Sequence, residues 1–493
     1  MPDLPEELLQ QIFENLQVSG PVDFVDDHRL HRQTLAAICR ASKQCCRIAQ
    51  PILFHTVHLG EYHVLIRSFW ELLVQKPQLS RLVRSLHIDE WAHPRLEPEY
   101  TEEQIASELG QVRLEVSRPL QDYVENAMAP LRSILGHTYD TVLSRQLAGI
   151  EDGMLVYLIA RCQELNCLEL VVPHRFPNYT CVYSALKHMA QLPVAADPPP
   201  DVTNNQQLTR SLSQLKELQM HHWDTENAFD ASEAIQFWTF SSLDVFRGNM
   251  IDCTRHDGLR GAPALRENNL RTLVLDNALI EADGLREILS RCPKVEVLSI
   301  AWGSASVGEC VVNHQQLGQV LRDLPQLSKG LKKLVLDPLE ALDYNESPEE
   351  FHEPLGSLKS FHSLEYLALS PKGLVGDDDE NGEDYPNFAS LPLTEMLPES
   401  LQTLDVREPP NVQYSDEAYE NMMKDMMPLD TELYGLMNDT RFRKLHTIKM
   451  NRLINEKEMS PEDIGWKQVE LKQTWLGRHD YALNRVHQQP ADL

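Results

Sequence analysis

The chain has 493 residues, of which 42% are hydrophobic and 24% charged, and its formal net charge is −29. That balance argues against nonspecific nucleic-acid binding, which needs a basic footprint, and against docking on an anionic membrane surface. No stretch approaches the roughly 20 apolar residues that span a bilayer, and the start Met1-Pro2-Asp3 carries no basic region or long apolar run. The nine cysteines are an odd number without regular spacing, which points to reduced thiols and a cytoplasmic and/or nuclear protein.

In chain order, the first predicted element is a helix opening at Leu4-Pro5 with Glu6 and Glu7 in its first turn, a good N-terminal signal. Its apolar residues Leu8, Leu9, Ile12, Phe13 and Leu16 cover nearly half the circumference. So wide a stripe on a short helix predicts two contacts, its own neighbours and another protein. A second helical stretch runs from about 30 to 49, and Pro51 to Leu59 reads as strand-like.

From Phe54 onward one phrase recurs: apolar, two residues, apolar, one residue, apolar. Its first positions are 54, 83, 165, 215, 240, 270, 295, 331, 364, 401 and 445. Leu270-Leu273-Leu275, Leu331-Leu334-Leu336 and Leu364-Leu367-Leu369 are clear copies. Each is a short strand whose apolar face only a neighbouring copy can cover, so the copies must stack as leucine-rich repeats. Between copies the period becomes 3.6, as in Leu285-Ile288-Leu289 and Leu317-Val320-Leu321-Leu324. The expected fold is α/β: a helical module over 1–53, then an irregular leucine-rich-repeat horseshoe over 54–450, with parallel inner strands and outer helices. Insertions fall at about 91–118, 119–163 (one or two helices), 193–207 and 371–390, and 451–493 is a C-terminal cap carrying Trp466, Trp475 and Tyr481. The Asn or Cys that bonds the turn backbone in many such repeats is replaced by Ala278, Gly303, Leu339, Lys372 and Pro409, so the coil should be irregular.

Residues 4–16, Leu-Pro-Glu-Glu-Leu-Leu-Gln-Gln-Ile-Phe-Glu-Asn-Leu, and Ala37 to Lys43 resemble the F-box, a compact three-helix module. The segment Phe54 to Leu59 is similar to the exit seen in many fungal F-box proteins, and the remainder fits the F-box plus leucine-rich-repeat family. The resemblance implies a substrate receptor of a Skp–cullin–F-box ubiquitin ligase. The implied contacts to a Skp-type adaptor, and through it a cullin, are Leu4, Pro5, Leu8, Leu9, Ile12, Phe13, Leu35, Ile38 and Cys39. The competing expectation is a leucine-rich scaffold whose first helices merely cap the array.

Alternation along each strand points the residues between the leucines away from the core. By that reading the outward face carries acids in its first and middle copies, Glu169, Glu217, Asp244 and Asp276. Phe246 and Tyr366 lie beside them, and the bases Lys333, Arg407 and Lys449 appear later. This predicts a protein substrate with a basic segment. No catalytic phrase is convincing, so neither an enzyme nor a cofactor is expected. Gly303 to Gly308 lacks the spacing of a nucleophile elbow and the lysine of a phosphate loop. His221 and His222 should point to opposite faces, so no metal is expected there.

Overall fold

The computed structural model describes residues 5–16, 25–59, 63–88, 118–147, 151–172, 181–191, 212–222, 228–254, 268–303, 312–338, 354–376, 391–407, 427–450, 461–470 and 481–485. The chain divides into two compact units, one of Met1–Trp223 with Thr239–Leu243, the other of Asp224–Trp238 with Asp244–Leu493. Leu4, the acidic run from Asp377 to Asp384 and Trp475 lie outside the described residues.

The first unit opens with α1 (Glu6–Glu14), α2 (Val25–Ala41) and α3 (Lys43–His55). Ser42 caps α3, its hydroxyl accepting from Cys45 N at 3.0 Å. Phe13, Leu35 and Ala49, one from each helix, are buried together, and Leu9, Leu16, Ile38, Ile48 and Ile52 pack around them. One expectation fails here. Pro51 does not begin a strand; α3 continues through it to His55, and β1 is only Thr56–His58. Arg32 Nη1 of α2 donates to His58 O at 3.4 Å, tying the module to that strand.

β1 pairs in parallel with β2 (Ser85–Ile88), β2 with β3 (Cys167–Val172) and β3 with β4 (Glu217–His222). α4 (His63–Gln75) lies between the first two strands. Among the described residues, the span predicted to hold one or two helices holds four α-helices: Arg118–Met128, Arg132–Leu135, Tyr139–Leu147 and Glu151–Arg161. They are anchored by buried polar groups. Trp70 Nε1 donates to Gln146 Oε1 at 2.9 Å. The Asp152 carboxylate, 1% exposed, pairs with Arg145 and accepts from Cys181 N at 2.8 Å and Val182 N at 3.0 Å. It thereby caps the helix Cys181–Gln191.

The second unit carries a small parallel pair, β5 (Phe229–Asp230) with β7 (Ile251–Asp252). Its main sheet runs through β6 (Val245–Asn249), β8 (Thr272–Ala278), β9 (Val297–Trp302), β10 (Lys333–Asp337), β11 (Tyr366–Leu369), β12 (Thr403–Val406) and β13 (Thr447–Met450), all parallel. β14 (Trp466–Glu470) and β15 (Tyr481–Arg485) form a hairpin that pairs antiparallel on β13 through β15, with Trp466 1% exposed. Helices such as Ala282–Ser290 and His314–Asp323 connect the strands and bury Leu285, Ile288, Leu289, Leu317, Val320 and Leu321. The two units together give a mixed α/β protein whose sheets are dominated by parallel, leucine-lined strands.

Two helices approach backbone so closely that only glycine fits. A Cβ on Gly284 would lie 2.0 Å from Cys253 O, and one on Gly318 1.9 Å from Leu355 O. Gly435, within the helix Met427–Asn438, has nothing within 4 Å. Gly318→Ala should therefore lower stability by about 1–3 kcal/mol through overpacking. Gly435→Ala should raise it by roughly 0.5–1 kcal/mol through helix propensity. Thermal melting of the two variants checks the opposite signs.

Candidate functional site

Three surfaces emerge, and the first is on α1. Leu8 and Ile12 are 45% and 51% exposed, and Pro5 is exposed before them. Other predicted adaptor contacts turn inward. Phe13 and Leu35, 6% and 3% exposed, are core of the three-helix module rather than surface. Leu9, Ile38 and Cys39 are partly buried against that core, because α1 and α2 both pack on α3. Burial and the neighbouring Cys46 push the Cys39 thiol up to about 11. Glu6 pairs with Arg47 of α3, which fixes the orientation of α1. The sequence reading missed Leu30 on α2, which is 59% exposed.

The second surface is the outward strand face of the first unit. Glu169 on β3 is not an available acid. Its Oε2 lies 2.5 Å from His87 Nδ1 on β2, and its Oε1 lies 3.0 Å from His221 Nε2 on β4. The His87 ring stacks on His58 at 4.3 Å, and its Nε2 is 2.7 Å from Ser85 Oγ. Although burial opposes it, the two histidines hold the Glu169 carboxyl well below the usual carboxylate range. Glu217 keeps its outward place on β4 and accepts from Gln219 Nε2 at 2.9 Å. His221 and His222 do point to opposite faces, His222 being 7% exposed.

The third surface is the outward face of the second unit, and here two predicted residues are misplaced. Phe246 is fully buried, pairs with Leu273 in register and meets Trp238 edge-on at 5.3 Å. The repeat phrase is Leu243-Phe246-Gly248, not Phe240-Leu243-Val245, so Val245 and Arg247 face outward. Gly248 occupies an apolar position because a Cβ there would sit 3.1 Å from Phe246 Cε1 and 3.4 Å from Leu275 Cδ2. Asp244 then precedes the strand. It belongs to an exposed column of alternating charge, pairing with Arg271 at 3.4 Å, which also pairs with Glu296 at 3.4 Å, which pairs with Lys332 at 2.7 Å. Asp276 is outward and exposed on β8 as predicted.

Tyr366 on β11 is half-buried in a polar network. Its hydroxyl donates to Asp405 Oδ2 at 2.5 Å, and burial together with that carboxylate keeps the phenol far above its ordinary value. Arg407 pairs with Asp337 and lies 3.8 Å from Asp405. Lys333 Nζ stands 4.7 Å and Lys449 Nζ 5.8 Å from the centre of the Tyr366 ring, within cation–π reach. Among the described residues no group of three His, Cys, Asp or Glu side chains is arranged to hold a metal ion, and no helix is long and apolar enough to cross a membrane.

Residues 206–336 match the family model described as FBD-associated F-box protein At5g56370, LRR repeats. That span covers β4, β6, β8 and β9 and reaches into β10, so these leucine-rich repeats are similar to those associated with F-box proteins. No curated protein matches the chain.

The Glu169 arrangement has a pH signature. A carboxyl whose folded value is lowered stabilises the fold above its unfolded value, near 4.5, and loses that contribution as pH falls toward the folded value. Glu169→Gln should therefore cost about 2 kcal/mol at pH 6 and progressively less below about pH 4.5. Denaturation midpoints of both proteins across roughly pH 3–7 check the convergence.

Proposed function

We propose that the chain is the substrate-recognition subunit of a Skp–cullin–F-box ubiquitin ligase. The three-helix module docks a Skp-type adaptor, and through it a cullin, while the outward strand faces hold a protein substrate. The observation that carries this reading is the exposed Leu8–Ile12 face of a helix already packed on its other side. The likeness of residues 206–336 to repeats associated with F-box proteins supports it.

The receptor itself catalyses nothing. It raises the effective concentration of a substrate lysine beside the ubiquitin-loaded enzyme, as tethering does. Glu217 and Asp276, which keep their outward placement, are the acids that would meet a basic substrate segment. Glu169 is committed to its histidines, and Asp244 to its charge column.

Capture of the full chain by a Skp-type adaptor is the direct test. Leu8→Asp with Ile12→Asp should weaken capture at least about 100-fold, as expected when central apolar contacts of an interface are lost, with the melting temperature unchanged. Phe13→Ala should behave differently and destabilise the helical module by about 3–5 kcal/mol, because it opens a cavity in the core. A wild-type chain that ignores the adaptor would leave the scaffold reading in its place. For the substrate face, Glu217→Lys and Asp276→Lys should each weaken capture of the substrate in cell extract; undiminished capture would remove the basic-segment idea.

A further inference from the structure

The turns leading into β11, β12 and β13 line an open groove of about 550 Å³. That size falls in the range of small-ligand sites, about 300–1,000 Å³. Lys359 and His362 line it from the first turn, Ser400 from the second, and Arg441, Arg443 and Lys444 from the third. Glu399 is the one acid among the residues lining it.

The frame around the cavity is rigid. Phe361, Leu364, Leu401, Phe442 and Leu445 are buried at the base of the three turns. Ser400 Oγ donates to Leu364 O at 2.7 Å and lies 3.3 Å from Phe361 O, joining the first two turns. His446 N donates to Gln402 O at 3.0 Å, joining the second and third.

The cations fall into two pairs. Lys359 and Arg441 both pair with Glu395, and Arg441 pairs also with Asp439. Neither acid lines the cavity, so these two side chains are held in position without the groove being filled. Arg443 and Lys444 are exposed, and among the described residues neither has a carboxylate partner; Arg443 Nε donates to Thr440 O at 3.2 Å. Adjacent like charges repel, and a concave wall focuses their field, so an anion beside Arg443 and Lys444 would relieve that repulsion. A chain of 74 acidic and 45 basic residues has no need of such a cluster for solubility.

We propose that this groove binds a multiply charged phosphoryl anion. Guanidinium forks match phosphate oxygens in pairs, and with Glu395 and Asp439 offsetting Lys359 and Arg441, the side chains of Arg443 and Lys444 face only Glu399. Lys359 and Arg441 are pre-positioned, and Arg443 and Lys444 supply the uncompensated charge. The phosphoryl group belongs either to a phosphorylated side chain of a partner protein or to a small free polyphosphate.

Calorimetric titration of the full chain separates these sources, with sodium tripolyphosphate in one arm and a phosphoserine peptide beside its unphosphorylated form in the other. Saturable binding of either phosphorylated probe is expected. Arg443→Gln with Lys444→Gln should weaken it at least about tenfold, as should raising salt from about 0.05 M to about 0.5 M. Tripolyphosphate alone identifies a free ligand, and the phosphopeptide alone identifies a partner segment; either supports the site. Binding by neither phosphorylated probe overturns it. So does undiminished binding by the double variant, or by Lys444→Gln alone should the double variant melt differently from the wild type. Adaptor capture plays no part in this measurement, so it stands apart from the receptor reading.

Discussion

The constraint on which the rest depends is backbone pairing at the entry to each strand. One carbonyl, immediately before the strand, accepts two successive amides of the next copy. Arg84 O accepts from Asn166 and Cys167, and Asn166 O from Lys216 and Glu217. In the second unit the same rule joins Asp244 to Arg271 and Thr272, Arg271 to Glu296 and Val297, Glu296 to Lys332 and Lys333, and so on to Thr447. This shared acceptor holds the copies in register whatever lies between them. It does the work that turn asparagines do in more regular repeats, and it explains how long insertions coexist with a register that slips only after Leu275 among the described strand pairs.

Register in turn decides what each side chain can do. Where a leucine stands at all three positions, as in the copies at 270, 331 and 364, sequence alone places the leucines inward, although Val335 and Ala368, expected to face outward, are buried. The copy before them could not be placed so easily. Phe240-Leu243-Val245 satisfies the apolar pattern, whereas the true phrase ends on Gly248, which no hydrophobicity rule marks. The glycine is there because Phe246 fills the space that a side chain would take. With the copy restarted at 243, the steps from 215 to 295 become 28, 27 and 25 residues, more even than the uncorrected spacing. Tertiary packing thus hid a signal that the spacing preserved. Pro51 misled in the opposite direction: it punctuates most sequences, yet α3 runs through it.

Charge was legible as composition but not as function. Glu169 counts as one acid in a sequence, yet the register that sets His87 opposite it and His221 diagonally across the next strand converts it into the centre of a hydrogen-bonded row. Asp244 counts as another, yet a shift of the repeat phrase by three residues moves it from the strand face into an exposed ladder of opposite charges, where each pair contributes little. The acidic stripe read along the chain therefore contracts to a few positions. Cations that look dispersed in sequence, Lys359 and Arg441 to Lys444, gather in one groove because stacking brings residues some 80 apart to neighbouring turns.

The same logic of faces bears on the first helix. Leu9, Phe13 and Leu16 repeat at intervals of four and three, and this is the row that α3 covers. Leu8 and Ile12 repeat at an interval of four on the neighbouring row, and they are left about half exposed. A helix that only closed the end of a repeat array would need a single apolar row and would present polar residues on the other, as Gln10 and Glu14 do here. The helix thus carries two adjacent apolar rows, one filled from within the chain and one open. Arg32 joins α2 to β1 through His58 O, and the exposed Arg47–Glu6 pair joins α3 to α1, so it is burial of Leu9, Phe13 and Leu16 rather than these polar contacts that decides which row stays open.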